Sequence, residues 1–234
     1  MRRFLPVAAV LLFLSLACGS DQFNSPTIGT GSPTAFPTER VAAASPTTPP
    51  SVGQPAVASC GSGGSSGIGT IQRTGQRRFD AAPQRVIDPD KVYVAKMQTS
   101  KGEVDMLLAA KDVPNTVNNF VFLACDGFYD GLTFHRVEPN FVVQGGDPNG
   151  NGSGGPGYSI PLEISPKWRH DTGALAMARS SDPNSAGSQF YITLTPQSGL
   201  DNQYAVFGRV LTGMEVVRQI AVGDKINRID VEEH

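Results

Sequence analysis

The side chains that could do chemistry in this chain are a few histidines, cysteines, carboxylates and arginines, and most lack the partners that a familiar catalytic pattern requires. The histidines are His135, His170 and His234, and none accompanies a G-x-S-x-G nucleophile motif or a cysteine at zinc-ligand spacing. Hydrolysis by a serine nucleophile and a zinc site are therefore disfavoured. We expect His135 to be a buried, hydrogen-bonded structural residue rather than a general base.

A glycine-rich stretch imitates two ligand-binding motifs. Residues 150–155 satisfy G-x-G-x-x-G, but Pro-Gly follows where a dinucleotide site needs the start of a helix. Counted from Asp147, the stretch has the spacing of the first calcium ligands in an EF-hand, but the twelfth position is Tyr158 instead of glutamate. We therefore expect neither a nucleotide nor a metal site, and no cofactor.

The elements that must position any functional residue are short strands separated by turns, which is typical of a mainly β fold. Apolar spacing predicts two helices, one over 117–124 that stops at Gly127 and one over 214–221 that stops at Gly223. The strands are expected over 92–97, 104–108, 141–144, 189–194 and 204–210.

Five blocks of sequence follow one another in the strand-rich region. They are Phe-His-Arg-Val from 134, Phe-Val-Val-Gln-Gly-Gly-Asp from 141, Leu-Ala-Met-Ala from 175, Gly-Ser-Gln-Phe-Tyr-Ile from 187 and Val-Phe-Gly-Arg-Val from 206. This series resembles the cyclophilin family of peptidyl-prolyl cis-trans isomerases, from about Arg85 to the C-terminus. The resemblance implies an eight-stranded antiparallel barrel closed by two α-helices, acting on proline-containing polypeptides.

Rotation about an Xaa-Pro bond breaks amide resonance against a barrier of about 18–20 kcal/mol, but it makes no new bond. A fixed guanidinium can donate to the imide nitrogen when that nitrogen regains its lone pair. The resemblance implies that Arg136 is this catalytic group. It also implies substrate-binding roles for Phe141, Val142, Gln144, Ala178, Arg179, Gln189, Tyr191, Leu200 and Tyr204. A non-catalytic proline-binding or chaperone module is the alternative, and the presence of Arg136 favours the enzyme.

Three positions depart from the family pattern. Tyr191 stands where the family usually has phenylalanine, so its hydroxyl must reach water or a partner. Gly199 replaces a tryptophan that many members carry, and Tyr204 replaces a histidine. We expect isomerisation to survive these changes, whereas cyclosporin binding is expected to be weak.

The first third of the chain differs in composition from the rest. Two arginines and an apolar run make residues 1–17 a secretory signal peptide, and Leu-Ser-Leu-Ala before Cys18 resembles a lipobox, which predicts lipidation of that cysteine. Seven of the 18 prolines lie within 19–60, so residues 18–80 are expected to be a disordered tether rich in Pro, Gly, Ser and Thr. Residues 81–234 then form the isomerase domain.

These features predict an extracytoplasmic protein held at the bacterial cell membrane by a lipid anchor. The net charge of −2 and the pI of about 5.9 argue against nucleic acid as a partner. We expect a monomer. Besides Cys18, the chain holds Cys60 and Cys125, which an oxidising compartment would permit to pair, and the sequence leaves open whether they do.

Overall fold

The computed structural model describes Cys60 and residues 74–234. The expected signal peptide, Cys18 and the tether up to residue 73, apart from Cys60, lie outside the described residues. Eight strands and two helices follow in the order β1 Tyr93–Thr99, β2 Gly102–Leu108, α1 Pro114–Asp126, β3 Arg136–Glu138, β4 Val142–Gly145, β5 Ala174–Met177, β6 Phe190–Thr193, β7 Val206–Thr212, α2 Met214–Val217 and β8 Ile226–Glu233.

The strands form one antiparallel sheet in the order β3-β4-β6-β5-β7-β2-β1-β8. The sheet curls, and the segment before edge strand β3 pairs with the chain at the start of edge strand β8. The amide of Gly131 donates to the carbonyl of Ile226 at 2.7 Å, and the amide of Phe134 donates to the carbonyl of Asp224 at 2.9 Å. The expected eight-stranded antiparallel barrel fold is confirmed, with its edges joined through these segments.

Helix α1 follows its sequence pattern closely. Its apolar residues at helical spacing are buried, and Gly127 ends the helix in the left-handed conformation with φ of 84°. No side chain of α1 caps its N-terminus; instead Glu163 accepts hydrogen bonds from the amide and hydroxyl of Thr116 at 2.6 and 2.7 Å. A carboxylate at that end also suits the helix dipole.

Helix α2 is shorter than predicted and ends at Val217. Beyond it, the amides of Gln219 and Ile220 donate to the carbonyls three residues earlier, so the chain continues as tighter turns. The predicted extension to residue 221 was therefore wrong, although Ile220 still packs into the core.

The interior of the barrel is an aromatic cluster against α1. The ring of Phe120 lies 5.1–5.6 Å from the rings of Tyr129, Phe190 and Phe207. All four side chains are fully buried. Their close packing fixes the inner face of the strands whose outer face carries the site.

The N-terminal residues before 81 contact the domain. Phe79, which the sequence assigned to the tether, packs against Phe122 and Phe128, with ring centroids 5.2 and 6.4 Å away. Cys60 forms a disulfide with Cys125 of α1, which answers the question that the sequence left open. Residues 74–80 therefore pack on the domain because Phe79 has an apolar surface to cover. Within the described part of the chain, none of the helices has the length and apolar character needed to cross a membrane.

Candidate active site

A single row of side chains crosses five neighbouring strands. The register places Arg136 of β3 opposite Gln144 of β4, Gln144 opposite Tyr191 of β6, Tyr191 opposite Ala176 of β5 and Ala176 opposite Val206 of β7. Directly opposed residues on one face of a sheet have Cβ atoms about 5 Å apart. The antiparallel register alone therefore brings the guanidinium beside the apolar members of the row.

Strand alternation separates this row from the core. Val143, Leu175 and Ile192 belong to the buried interior cluster, whereas their neighbours Val142 and Tyr191 belong to a second, smaller cluster on the other face. The predicted alternation along the strand 189–194 explains this division, because one face fills the core and the other faces the site.

A pocket of about 220 Å³ opens on the second cluster. Its walls are apolar or aromatic near the sheet and carry two arginines at the rim. It is lined by Arg136, Phe141, Val142, Gln144, Ala178, Arg179, Tyr191, Leu200 and Tyr204. Of the residues that the resemblance implied for the site, only Gln189 does not line this pocket, and it accepts a hydrogen bond from Gln144.

The guanidinium of Arg136 is held in one orientation. Its Nε and Nη2 donate to Oε1 of Glu138 at 2.9 and 2.7 Å, and its Nη1 donates to Oε1 of Gln144 at 3.1 Å. The guanidinium also lies over the ring of Phe141, 5.6 Å from its centroid. A guanidinium has five N–H groups, so two have no partner among the described residues.

The ion pair with Glu138 orients the arginine more than it stabilises the fold. The Arg136 and Glu138 side chains are 45% and 49% exposed, and ion pairs at that exposure contribute about 1 kcal/mol or less. The charge therefore remains available at the rim of the pocket.

A chain of amide groups continues from Arg136 into the glycine-rich loop. Nε2 of Gln144 donates to Oε1 of Gln189 at 2.9 Å. Nε2 of Gln189 in turn donates to the carbonyls of Gly152 and Gly154 at 3.0 and 2.8 Å. Each glutamine thus accepts at its oxygen and donates at its nitrogen, which fixes the direction of both side-chain amides.

Asp147 organises the same loop. Its carboxylate accepts hydrogen bonds from the amides of Asn149 and Asn151 at 2.8 and 2.9 Å, and from the amide of Gly152. Burial raises the pKa of Asp147, but these three hydrogen bonds outweigh burial, so the pKa lies below its usual value. The carboxylate that a calcium loop would use is thus occupied by backbone amides. The described residues include no group of three or more potential metal-ligating side chains.

The hydroxyl of Tyr191 has the buried partner that its position demands. It lies 2.9 Å from Nε2 of His170, and Nδ1 of His170 lies 2.9 Å from Oδ1 of Asp201. Because a carboxylate only accepts, Nδ1 donates to Asp201, and in the neutral imidazole Nε2 accepts from the tyrosine hydroxyl. Burial raises the pKa of Tyr191, so the phenol stays neutral below the pocket.

The opposite wall of the pocket is built around Tyr204. The guanidinium of Arg179 lies 4.4 Å from the centre of its ring, and Nε and Nη2 of Arg179 donate to the carbonyl of Gln203 at 3.2 and 2.9 Å. The Tyr204 ring packs edge-on against Tyr191, 6.2 Å away. Arg179 is therefore a fixed positive charge beside the pocket.

His135 differs from its prediction in one respect. Neither ring nitrogen has a hydrogen-bond partner among the described residues, although both are buried, so the expected hydrogen-bonded histidine was wrong. Burial lowers the pKa of His135, with the charge of Asp147 opposing this effect and that of Arg136 adding to it. A neutral imidazole at this position avoids adding a second positive charge next to that of Arg136.

Sequence reasoning missed four polar residues that support the site, namely Glu138, Asp147 as a loop anchor, His170 and Asp201. Glu138 could have been found from the sequence. It lies two residues after Arg136 on β3, and residues two apart on a strand share a face. His170 and Asp201 are 31 residues apart, and no local spacing connects them.

The curled antiparallel sheet, with a small apolar pocket beside a fixed guanidinium, defines a protein of the proline isomerase class. Residues 94–233 match the family described as "Cyclophilin type peptidyl-prolyl cis-trans isomerase/CLD". The chain belongs to this family, and its activity is peptidyl-prolyl cis-trans isomerisation.

Two bacterial relatives show the extent of the similarity. A peptidyl-prolyl cis-trans isomerase of Synechococcus elongatus is 47% identical over 139 residues, which cover 58% of this chain and 94% of the relative. Peptidyl-prolyl cis-trans isomerase B of Bacillus subtilis is 45% identical over 131 residues, 56% of this chain and 91% of the relative.

A solved structure gives the same result for the fold. A cyclophilin type isomerase of Cryptosporidium parvum superposes with a TM-score of 0.58 at 28% identity, covering 61% of this chain and 99% of that one. A second crystal structure of that protein was determined in the presence of the dipeptide Ala-Pro. The similarity spans the barrel and leaves more than a third of this chain uncovered.

Proposed function

We propose that Arg136 catalyses the isomerisation by donating a hydrogen bond to the imide nitrogen of the twisted Xaa-Pro bond. The observation that carries this proposal is the guanidinium at the rim of the 220 Å³ pocket, held by Glu138 and Gln144 with two N–H groups to spare. The proline ring occupies the apolar pocket over Val142 and Tyr191. Arginine stays charged at any physiological pH, so it acts as a donor and never as a base.

The energetics are compatible with this role. Raising a rate from about 0.01 to about 100 per second requires roughly 5.5 kcal/mol of barrier lowering. A charge-assisted hydrogen bond contributes about 1.5–3 kcal/mol. Fixing the proline ring and excluding water around the imide supply the remainder, because both favour the twisted state over the planar one.

We also propose that the protein acts on folding polypeptides outside the cytoplasm, anchored to the membrane by lipid on Cys18. Three features support this placement: the signal-like residues 1–17, the lipobox before Cys18 and the disulfide between Cys60 and Cys125. Disulfides persist in oxidising compartments and are rare in the cytosol.

The catalytic proposal is tested by comparing Arg136→Ala with the native protein in an Xaa-Pro peptide assay. We expect kcat/KM to fall about 10- to 100-fold, which corresponds to the loss of one charge-assisted hydrogen bond in the transition state. Arg209→Ala is the matched control, because Arg209 lies on β7 and does not line the pocket. Equal rates for the native protein and Arg136→Ala would refute the assigned role.

The location is tested separately by fractionating cells that produce the protein with and without Cys18→Ala. We expect the native protein in the membrane fraction and the variant released from it. Mass spectrometry of the mature N-terminus would contradict the proposal if it found an unmodified thiol on Cys18.

A further inference from the structure

A second pocket adjoins the proline pocket. Its volume is about 470 Å³, and it shares Gln144, Ala178 and Arg179 with its smaller neighbour. The glycine-rich loop 152–157 forms one wall, while Ser180, Ser185 and Gln189 form others. The remaining wall includes Arg78, which lies before the residues 94–233 that match the family.

The charge of this pocket is opposite to that of the domain around it. Residues 79–234 contain 19 aspartates and glutamates against 13 lysines and arginines. The pocket is nevertheless lined by two arginines, Arg78 and Arg179, and by no carboxylate. Neither arginine makes an ion pair with a described carboxylate. The second pocket is thus a local positive site.

Contacts of Phe79 and of Gly157 position Arg78 at this pocket. The next residue, Phe79, packs its ring against Phe122 and donates its amide to the carbonyl of Pro156 at 2.7 Å. The side chain of Arg78 also lies close to the backbone of Gly157. A Cβ atom placed on that glycine would be 3.0 Å from Cγ of Arg78. Gly157 has φ of 98°, so glycine suits both its backbone conformation and this close approach.

The geometry of an extended peptide determines which of its residues reaches the second pocket. Side chains two residues apart point to the same side and lie about 7 Å from each other. With the proline ring in the smaller pocket, a side chain two residues from proline is therefore the one that can reach the neighbouring pocket across Ala178 and Arg179.

We propose that Arg78 makes this enzyme select substrates with a carboxylate side chain two residues before the proline. The pocket supplies two positive charges and serine hydroxyls that can donate to an anion, and it has no carboxylate that would pair with a lysine. This inference rests on the use of the smaller pocket by proline, as proposed above. Through Arg78, the segment 74–80 takes part in substrate choice.

The test compares three peptides that differ only in having Glu, Gln or Lys two residues before proline. With the native protein, we expect kcat/KM to be about threefold higher for Glu than for Gln at low ionic strength, as for one partly exposed ion pair. The preference should shrink when ionic strength rises from about 0.01 M to about 0.15 M, because the screening length falls.

Three variants separate charge selection from a structural effect. Arg78→Gln should bring the Glu and Gln peptides to within about 1.5-fold of each other, and Arg78→Glu should favour the Lys peptide. Arg77→Gln is the matched control, since Arg77 bonds to the carbonyls of Gly127 and Asp130 and does not line the pocket.

The rate for the Gln peptide keeps this inference distinct from the catalytic proposal. The Gln peptide carries no charge for Arg78 to pair with, so Arg78→Gln should lower its rate less than it lowers the rate for the Glu peptide, whereas Arg136→Ala should lower both rates equally. Equal kcat/KM for the Glu and Gln peptides with the native protein would overturn the inference. So would an Arg78→Gln variant that keeps the native preference, or one that slows all three peptides equally.

Discussion

Removing the disulfide between Cys60 and Cys125 should cost stability without touching the chemistry. The two cysteines are 65 residues apart, and neither lines the pockets beside Arg136. The variant of choice is Cys60→Ala, because Cys125 is buried and an unpaired cysteine packs as a small apolar residue there.

The magnitude follows from the length of the closed loop. A cross-link over 65 residues removes chain entropy from the unfolded state worth about 4 kcal/mol at 25 °C. For a domain of this size, that loss corresponds to a fall in the melting temperature of roughly 10 °C. The backbone pairing of Cys60 with Val231, at 3.0 Å in both directions, can persist in the variant. The entropy of the unfolded chain therefore dominates the expected change.

Urea unfolding measures the effect, with fluorescence of the single tryptophan, Trp168, as the signal. We expect the native protein to lose stability when a reductant is added, whereas Cys60→Ala should show no further change. At 25 °C, kcat/KM should be equal for both proteins. A difference in unfolding free energy below about 1 kcal/mol would refute the loop-closure reasoning.

Two further predictions concern the polar residues behind the site. Tyr191→Phe leaves Nε2 of the buried His170 without its partner, so the unfolding free energy should fall by about 1–3 kcal/mol, and unchanged urea unfolding would contradict this. Asp147 has a folded pKa below its ordinary 3.8, so its contribution to stability is present above that value and is lost as pH falls through the folded pKa. The stability difference between the native protein and Asp147→Asn should therefore be full near about pH 6 and shrink in acid, and a difference independent of pH would refute the assignment.

Local sequence patterns were sufficient for the parts of the fold that are regular. Helix α1 carries uninterrupted helical spacing and ends at Gly127, so its position was predictable. Strand β8 was not predicted, because its register against β1 shifts between Gln98 and Thr99. That irregularity places the buried residues of β8 at Ile226, Ile229 and Val231, which breaks the alternation that identifies a strand.

The residues of the site also include some that local spacing places and others that it does not. Val142 and Gln144 could be placed on one strand face from spacing, whereas their neighbours across the sheet depended on register. The resemblance to a family assigned those neighbours to the site without giving the register, and it extended no further than the barrel. The position of Arg78 depends on the packing of Phe79 on α1, which no motif encodes.

The hydrogen bonds of the site also connect the two pockets, and each of these bonds has a fixed donor and a fixed acceptor. Arg136 has only donors to offer, so Gln144 must present its oxygen to it and its nitrogen to Gln189. Gln189 must then donate to the carbonyls of Gly152 and Gly154, whose loop Asp147 holds through backbone amides. Reversing either glutamine would set donor against donor, so the loop that walls the second pocket and the guanidinium that faces the first are positioned by one network.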